Sequence, residues 1–133
     1  MHSTNYKNTF ILVASDYPLP IAKSNPKPES IGDLALKILQ ANPYQMTSDD
    51  LLFAVYARRN EIPDDELEIA REAYFAKPQA CLRASPLVKT MGYGVHHDEN
   101  SKIAIYPLES DEYRKLSNDE KITKTAGMRS KRA

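Results

Sequence analysis

The sequence predicts an α+β fold in which a small antiparallel sheet packs against several short helices. After Ser30 the apolar residues recur at helical spacing, whereas after Gly92 they alternate with a period of two residues. A short apolar run with β-branched residues, Thr9 to Ala14, predicts a buried strand near the N-terminus. This N-terminal strand and a hairpin over residues 92–107 are therefore expected to form the sheet.

A proline-rich segment follows the first strand. Four prolines lie from Pro18 to Pro28, and each fixes its own backbone φ and lacks an amide donor. Residues 16–28 are therefore predicted to form an extended loop, the Pro-rich loop. A loop of this length is either functional or mobile.

A helix is predicted from Ser30 to Ala41. Ser30 suits the N-cap, Asp33 occupies the capping-box position, and Asn42-Pro43 ends the helix. The predicted core-facing stripe consists of Ile31, Leu34, Ala35, Ile38 and Leu39.

Two further helices are predicted before residue 78. The first follows the capping residues Thr47 to Asp50, although the uniformly apolar run Leu51 to Ala57 is also compatible with a buried strand. The second opens at Pro63, with acidic residues in its first turn. Its core-facing residues are predicted to be Leu67, Ala70, Ala73 and Tyr74.

The next segment combines a short helix with the hairpin. Ser85-Pro86 predicts a helix start, and the helix is expected to reach Thr90. Residues 98–101 have turn chemistry and separate the two alternating runs of the 92–107 hairpin.

Two helical segments are predicted after the hairpin. The first begins at Ser110 and turns Tyr113 and Leu116 inward. Residues 117–120 form a capping-box pattern, which predicts a last short helix that Gly127 ends.

The length of 133 residues suits one domain with a core of its own. We expect a single domain over residues 1–126, followed by an exposed basic tail over residues 127–133.

The sequence composition indicates the cellular compartment of this protein. Cys81 is the only cysteine, so no intramolecular disulfide can form. The N-terminus lacks the pattern of a secretory signal, and the longest apolar run, residues 51–57, is too short to cross a bilayer. We therefore expect a cytoplasmic protein without a membrane partner.

Charge is distributed unevenly along the chain, although the net charge is zero. Five of the 18 basic residues lie after Glu120, where there is no acidic residue, so the rest of the chain is acidic. A general nucleic-acid binder usually carries the opposite balance on its body.

Several motifs resemble one known family. They are Asn5-Tyr6, Asn8-Thr9-Phe10, Asn42-Pro43-Tyr44, Thr47-Ser48-Asp49-Asp50, Arg83-Ala84-Ser85-Pro86-Leu87, Gly92-Tyr93-Gly94-Val95-His96 and the terminal Met128-Arg129-Ser130-Lys131-Arg132-Ala133. On these motifs the chain resembles the small bacterial and fungal family labelled "domain of unknown function 6157" over nearly its whole length. The resemblance implies no activity and no site residues.

Cys81 is a weak candidate for a catalytic residue. A nearby cation such as Arg83 lowers the pKa of a thiol, and His96 or His97 would serve as the base. The alternative is that Cys81 is a small buried hydrophobic residue, which is the usual role of a lone cysteine.

A metal site is not predicted. His96 and His97 are neighbours on a strand and point to opposite faces of the sheet, and no spaced pair of ligands completes a set. No cofactor is predicted either.

A possible anion site consists of Arg83, Ser85 and His96. Arg83 precedes the helix start at Ser85, and Gly92 and Gly94 leave space on the face of His96. That space predicts either a shallow pocket or close packing. The alternative for Arg83 is an ion pair with a carboxylate from residues 61–72. Arg58, Arg59 and Lys89 are further cations that the fold could bring together.

Three functions stay open on the sequence alone. The first is a non-catalytic domain that binds a small anionic ligand or a protein partner. The sequence shows no set of a nucleophile, a base and a group that orients the base, as catalysis would require. The second is a winged-helix-like nucleic-acid module that uses Lys89, Lys102 and the basic tail. The third is a small enzyme with Cys81 as nucleophile. We favour the first.

Overall fold

The computed structural model describes residues 3–23 and 26–130. It confirms the α+β fold class. The strands are β1 (Thr9–Leu12), β2 (Tyr93–His97), β3 (Ile103–Pro107) and β4 (Thr123–Ala126). The helices are α1 (Ile31–Ala41), α2 (Ser48–Arg59), α3 (Leu67–Phe75), α4 (Pro86–Lys89) and α5 (Asp111–Asn118).

The four strands form one sheet in the order β3-β2-β1-β4. β1 pairs antiparallel with β2, and β2 pairs antiparallel with β3 in the hairpin that the sequence predicts. β4 pairs with β1 in the parallel direction, so the complete sheet is mixed. The first strand of the chain therefore lies between the second strand and the last.

The sheet has an apolar core on each face. Because successive strand residues point to opposite faces, Ile11 and Val95 pack on one side while Phe10 packs on the other. The larger core lies under α1, α2 and α4, and we call that side the helix face. The smaller core lies under α5, where Tyr113 contacts Phe10 edge to face with ring centroids 5.0 Å apart; this is the α5 face.

The choice between helix and strand at residues 51–57 is settled in favour of helix. Thr47 and Asp50 form the capping box: the Thr47 hydroxyl accepts from the Asp50 amide, and the Asp50 carboxylate accepts from the Thr47 amide. Satisfying these two free amides fixes the start of α2.

The predicted last helix is wrong, because its residues form β4. Ser117 belongs to the last turn of α5, where its hydroxyl donates to the Tyr113 carbonyl. The chain then turns, and the Asp119 carboxylate accepts from the Lys121 amide. β-branched Thr123 and Thr125 suit a strand, but only the distant β1 supplies the hydrogen bonds that decide it.

Two predicted core positions are also wrong. Ile31 lies at the start of the predicted stripe and is 48% exposed. Ala73 is exposed as well, because α3 lies at the periphery, where it packs on α2 and has Phe75 as its buried residue.

Close packing, rather than a pocket, explains the glycines near His96. A Cβ on Gly94 would lie 2.5 Å from the Phe10 ring, and one on Gly92 would lie 2.7 Å from the Tyr17 ring. Side chains therefore fill the space that the two glycines leave.

The C-terminal segment continues from β4 along the body of the protein. Gly127 is buried and its amide donates to the Leu12 carbonyl, while the Met128 amide donates to the Arg83 carbonyl. The side chains of residues 128–130 are exposed. Residues 131–133 of the expected basic tail lie outside the described residues. No helix in the described ranges is both long and apolar enough to cross a membrane.

Candidate functional site

An apolar groove of about 300 Å³ runs between α1, α2 and the segment 79–86. Its floor consists of aliphatic residues from the two helices, among them Ala35, Leu51 and Val55. Tyr56 and Tyr74 form one wall, and Cys81, Ser85 and Pro86 form a second wall. We call this concavity the groove.

An aromatic cluster builds the first wall. The rings of Tyr56 and Tyr74 lie 4.6 Å apart, and Phe53 packs against both. Arg71 lies over the Phe53 ring, and its guanidinium is 2.9 Å from the carboxylate of Asp50. These contacts hold α3, and with it Tyr74, against α2.

A turn of 3-10 helix at residues 82–84 shapes the second wall. The Ala84 amide donates to the Cys81 carbonyl, and the Leu82 side chain is buried in the helix-face core. Gln79 joins the two walls, since its side-chain amide donates to the Tyr74 carbonyl. The segment that carries Cys81 and Ser85 is therefore held by the Gln79 hydrogen bond and by the buried Leu82 side chain.

Cys81 lies in the groove and contacts Tyr6 from the N-terminal segment. The Tyr6 hydroxyl is 3.2 Å from the Cys81 sulfur. Burial raises the pKa of Tyr6, and the contact with Cys81 raises it further. Within the described residues the thiol has no hydrogen bond to a histidine.

The two predicted histidine partners lie elsewhere. His96 is on the α5 face, where its Nδ1 atom is 2.8 Å from the Tyr44 hydroxyl, which is itself 2.8 Å from the Tyr106 hydroxyl. Burial lowers the pKa of His96, although the nearby charges of Asp98 and Asp119 oppose that effect. His97 is on the helix face, fully buried, with its ring edge to face against Tyr6.

Arg83 and Ser85 are close in the chain but each has a structural partner. The Nε atom of Arg83 donates to the Ala126 carbonyl at 2.7 Å, and its own carbonyl accepts from Met128. The Ser85 hydroxyl accepts from the Leu87 amide and caps α4. The structure thus brings Arg83 to the C-terminal segment, not to a carboxylate of residues 61–72, and it places His96 on the other face of the sheet.

A different arginine reaches the groove. Arg59, the last residue of α2, lines the groove together with Ile31 and Pro86. Glu29 has a left-handed backbone with a φ of 61° and contacts both arginines at the end of α2. Its carbonyl accepts from Arg59, and its carboxylate pairs with Arg58. Of the four cations considered in the sequence, Arg59 alone lines the groove among the described residues.

No ligand set for a metal is assembled within residues 3–23 and 26–130. The described part of the chain contains no group of three or more His, Cys, Asp or Glu side chains that could hold an ion. The groove itself is lined by neither a histidine nor a carboxylate from those residues.

The structure therefore defines a small α+β domain with an open, mainly apolar groove on its helix face. The chain belongs to the family described as "Family of unknown function (DUF6157)", whose family model matches residues 1–133. A search of the curated proteins and of the solved structures finds no match.

Sequence reasoning missed the groove because its residues come from separate segments. Tyr56 and Tyr74 are 18 positions apart in the chain, and neither stands in a recognisable motif. Only the packing of α3 on α2 makes them one wall.

Proposed function

We propose that this protein is a non-catalytic binding domain and that the groove holds a small ligand. The groove carries the proposal, because its volume of about 300 Å³ lies at the lower end for small-molecule sites. Its lining has the usual character of such sites, with aliphatic and aromatic side chains and a few polar groups at the edges.

The polar groups that line the groove favour ligand binding over catalysis. General acid–base catalysis uses a group that titrates near neutral pH and lies within hydrogen-bond reach of the substrate. The described residues that line the groove include neither a histidine nor a carboxylate, and the Cys81 thiol is in contact with Tyr6. An enzyme with Cys81 as nucleophile therefore has less support than a binding domain.

The nucleic-acid alternative also has less support. A winged-helix module reads DNA with an exposed recognition helix. The corresponding helix here, α4, has four residues, and two of them, Leu87 and Val88, are buried in the core.

The groove can be tested through its own cysteine. Because Cys81 is the only cysteine in the chain, the rate of alkylation by iodoacetamide reports on access to the groove. We expect small aromatic and aliphatic fragments that bind, detected by ligand-observed NMR, to slow this rate by several-fold.

A matched pair of variants locates the binding. Ala80 is exposed and lines the groove, so Ala80→Phe should fill part of it and abolish fragment binding. Ala41 is equally exposed at the end of α1 and outside the groove lining, so Ala41→Phe should bind as the wild type does. Fragments that bind Ala80→Phe normally, or a complete lack of binding fragments, would overturn the proposal.

A further inference from the structure

A second concavity adjoins the groove. It has a volume of about 420 Å³ and lies between the Pro-rich loop, the start of α1 and α4. Its charged lining residues are Lys23, Lys27 and Arg59, and no carboxylate contributes to the lining among the described residues. We call it the basic cleft.

Hydrogen bonds fix the backbone of Lys23 and Lys27 and the guanidinium of Arg59. The Lys23 amide donates to the Met91 carbonyl at 2.9 Å, which ties the Pro-rich loop to the segment after α4. The Lys27 carbonyl accepts from the Ser30 hydroxyl at 2.7 Å. Arg59 donates to the Glu29 carbonyl at 3.2 Å. The three side chains therefore extend from anchored points around one opening.

Two acids near the cleft, Glu29 and Asp33, are engaged with other cations, and the Glu109 carboxylate accepts from the Ala22 amide at 3.0 Å. The Glu29 carboxylate pairs with Arg58 at 3.3 Å. The Asp33 carboxylate, which is almost fully buried, accepts from the Glu29 amide at 2.9 Å and pairs with Lys37 at 3.0 Å. In the part of the chain that the structure describes, Lys23, Lys27 and Arg59 make no ion pair within 4.0 Å. The cleft thus keeps its positive charge.

A larger neighbouring concavity provides a contrast. It has a volume of about 820 Å³ and carries Arg58 and Arg59, but Glu29, Glu61 and Asp64 line it as well. Its three carboxylates outnumber its two arginines, so it offers an anion no comparable attraction.

The basic cleft and the groove share three lining residues, Ile31, Arg59 and Pro86. One ligand can therefore occupy both if it has an apolar body and a charged end. We propose that the ligand is a phosphate monoester of an apolar alcohol, with its phosphate in the basic cleft and its body in the groove.

The three cations of the basic cleft favour a phosphate monoester over a carboxylate. A phosphate monoester carries a charge of about −1.5 to −2 at neutral pH, which three cations match better than they match the single charge of a carboxylate. The guanidinium of Arg59 donates to the Glu29 carbonyl through Nη1, and its remaining planar donors suit two parallel hydrogen bonds to phosphate oxygens. This inference rests on the proposed binding function of the groove.

The probe for the test is 1-naphthyl phosphate. The chain contains no tryptophan, so naphthyl fluorescence can be excited without exciting the protein. Binding is measured by fluorescence anisotropy at low and high salt, with 1-naphthol as the neutral analogue and inorganic phosphate as a competitor.

We expect 1-naphthyl phosphate to bind at least about tenfold more tightly than 1-naphthol at low salt, and the difference to shrink as salt is added. Arg59→Gln, Lys23→Gln and Lys27→Gln should each weaken the phosphate ester by roughly threefold to tenfold and leave 1-naphthol unchanged. Lys115→Gln, an exposed lysine on α5, is the control and should change neither.

The failures of the two proposals can be told apart. If the ester and 1-naphthol bind equally and Arg59→Gln changes neither, the groove binds ligands but the phosphate assignment is wrong. If neither probe binds, the phosphate assignment is wrong, and the fragment screen with Ala80→Phe decides the proposed function separately. If the ester binds Ala80→Phe as tightly as wild type, the cleft acts without the groove and the combined site is wrong.

A final experiment distinguishes a lipid head group from a soluble metabolite as the source of the phosphate monoester. Phosphatidate in phosphatidylcholine vesicles presents the same monoester on a lipid. Co-sedimentation that 1-naphthyl phosphate reverses would assign the site to a lipid head group. Absence of co-sedimentation, together with binding of the free ester, would assign it to a soluble metabolite.

Discussion

The Oδ1 atom of Asp49 lies 2.7 Å from both the backbone nitrogen and the hydroxyl oxygen of Thr4. Both residues are buried, and the Thr4 hydroxyl is also 2.9 Å from the Ser48 hydroxyl. This contact fixes the N-terminal segment against the first turn of α2, where a carboxylate is favoured by the helix dipole.

Thr4→Val should lower the free energy of unfolding by about 1 to 3 kcal/mol, because it removes a buried hydroxyl from Asp49 and Ser48 while keeping the side-chain shape. Urea denaturation measures the change. Thr123→Val is the control, since Thr123 is exposed on β4, and it should alter stability by less than about 0.5 kcal/mol. Equal effects of the two substitutions would contradict the role given to the Asp49 contact.

His97 should make the protein sensitive to acid. Burial lowers the pKa of His97 to about 4; backbone groups of Val95 and Thr9 oppose this effect, and the neighbouring His96 adds to it. Neither ring nitrogen has a hydrogen-bond partner of normal geometry in the described chain. Below the unfolded pKa of about 6.5, the unfolded state binds a proton that the folded state excludes, so stability falls as pH decreases from 6.5 towards 4.

The His97 contribution should amount to about 2 to 3 kcal/mol between pH 7.5 and pH 4.5. His97→Leu removes the titrating group and should reduce the loss of stability over this range by that amount. Chemical denaturation at several pH values measures it. An unchanged pH dependence in His97→Leu would mean that other groups cause the acid sensitivity.

The pairing of β4 with β1 can be tested with two proline substitutions. The amides of Thr123 and Gly127 donate to β1-side carbonyls, so by alternation the Thr125 amide also faces β1 and the Lys124 amide faces away. Thr125→Pro should therefore destabilise the protein by roughly 3 kcal/mol or more, and Lys124→Pro by clearly less. Melting temperatures compare them, and equal losses would favour the helix that the sequence predicts.

Gly92 should not tolerate a side chain. Its φ is 81°, and a Cβ would lie 2.7 Å from the ring of Tyr17, whose hydroxyl donates to the Ile21 carbonyl. Gly92→Ala should cost more than about 1 kcal/mol of stability, from backbone strain and from displacement of Tyr17.

A double-mutant cycle separates the two effects at Gly92. Gly92→Ala should cost less in a Tyr17→Ala background, because only the backbone strain remains. Additive effects, measured by urea denaturation, would show that the ring contact does not matter.

Local patterns predicted most of the fold correctly. The caps at Ser30 and Thr47 and the alternation after Gly92 each report on interactions within a few residues, and α1, α2 and the hairpin follow them. β4 was mispredicted because a local capping pattern lies next to a segment whose pairing partner is more than one hundred positions away.

The candidate site was harder to predict for a related reason. Arg83 was predicted to bind an anion because it precedes a helix start, but its guanidinium donates to the Ala126 carbonyl. Arg59 carries no local signal, and it becomes a candidate only because Glu29 holds it beside Ile31 and Pro86. Such a position depends on tertiary contacts that neither periodicity nor spacing encodes.

The central place of β1 has a consequence for synthesis on the ribosome. Its two partners, β2 and β4, are completed only when residues 97 and 126 have been made. Until then the strand that carries Phe10 and Ile11 has no native partner, although both side chains are fully buried in the finished protein. We expect the sheet to complete only after residue 126 has left the ribosome, and chaperones that recognise exposed apolar segments to bind this strand in the meantime.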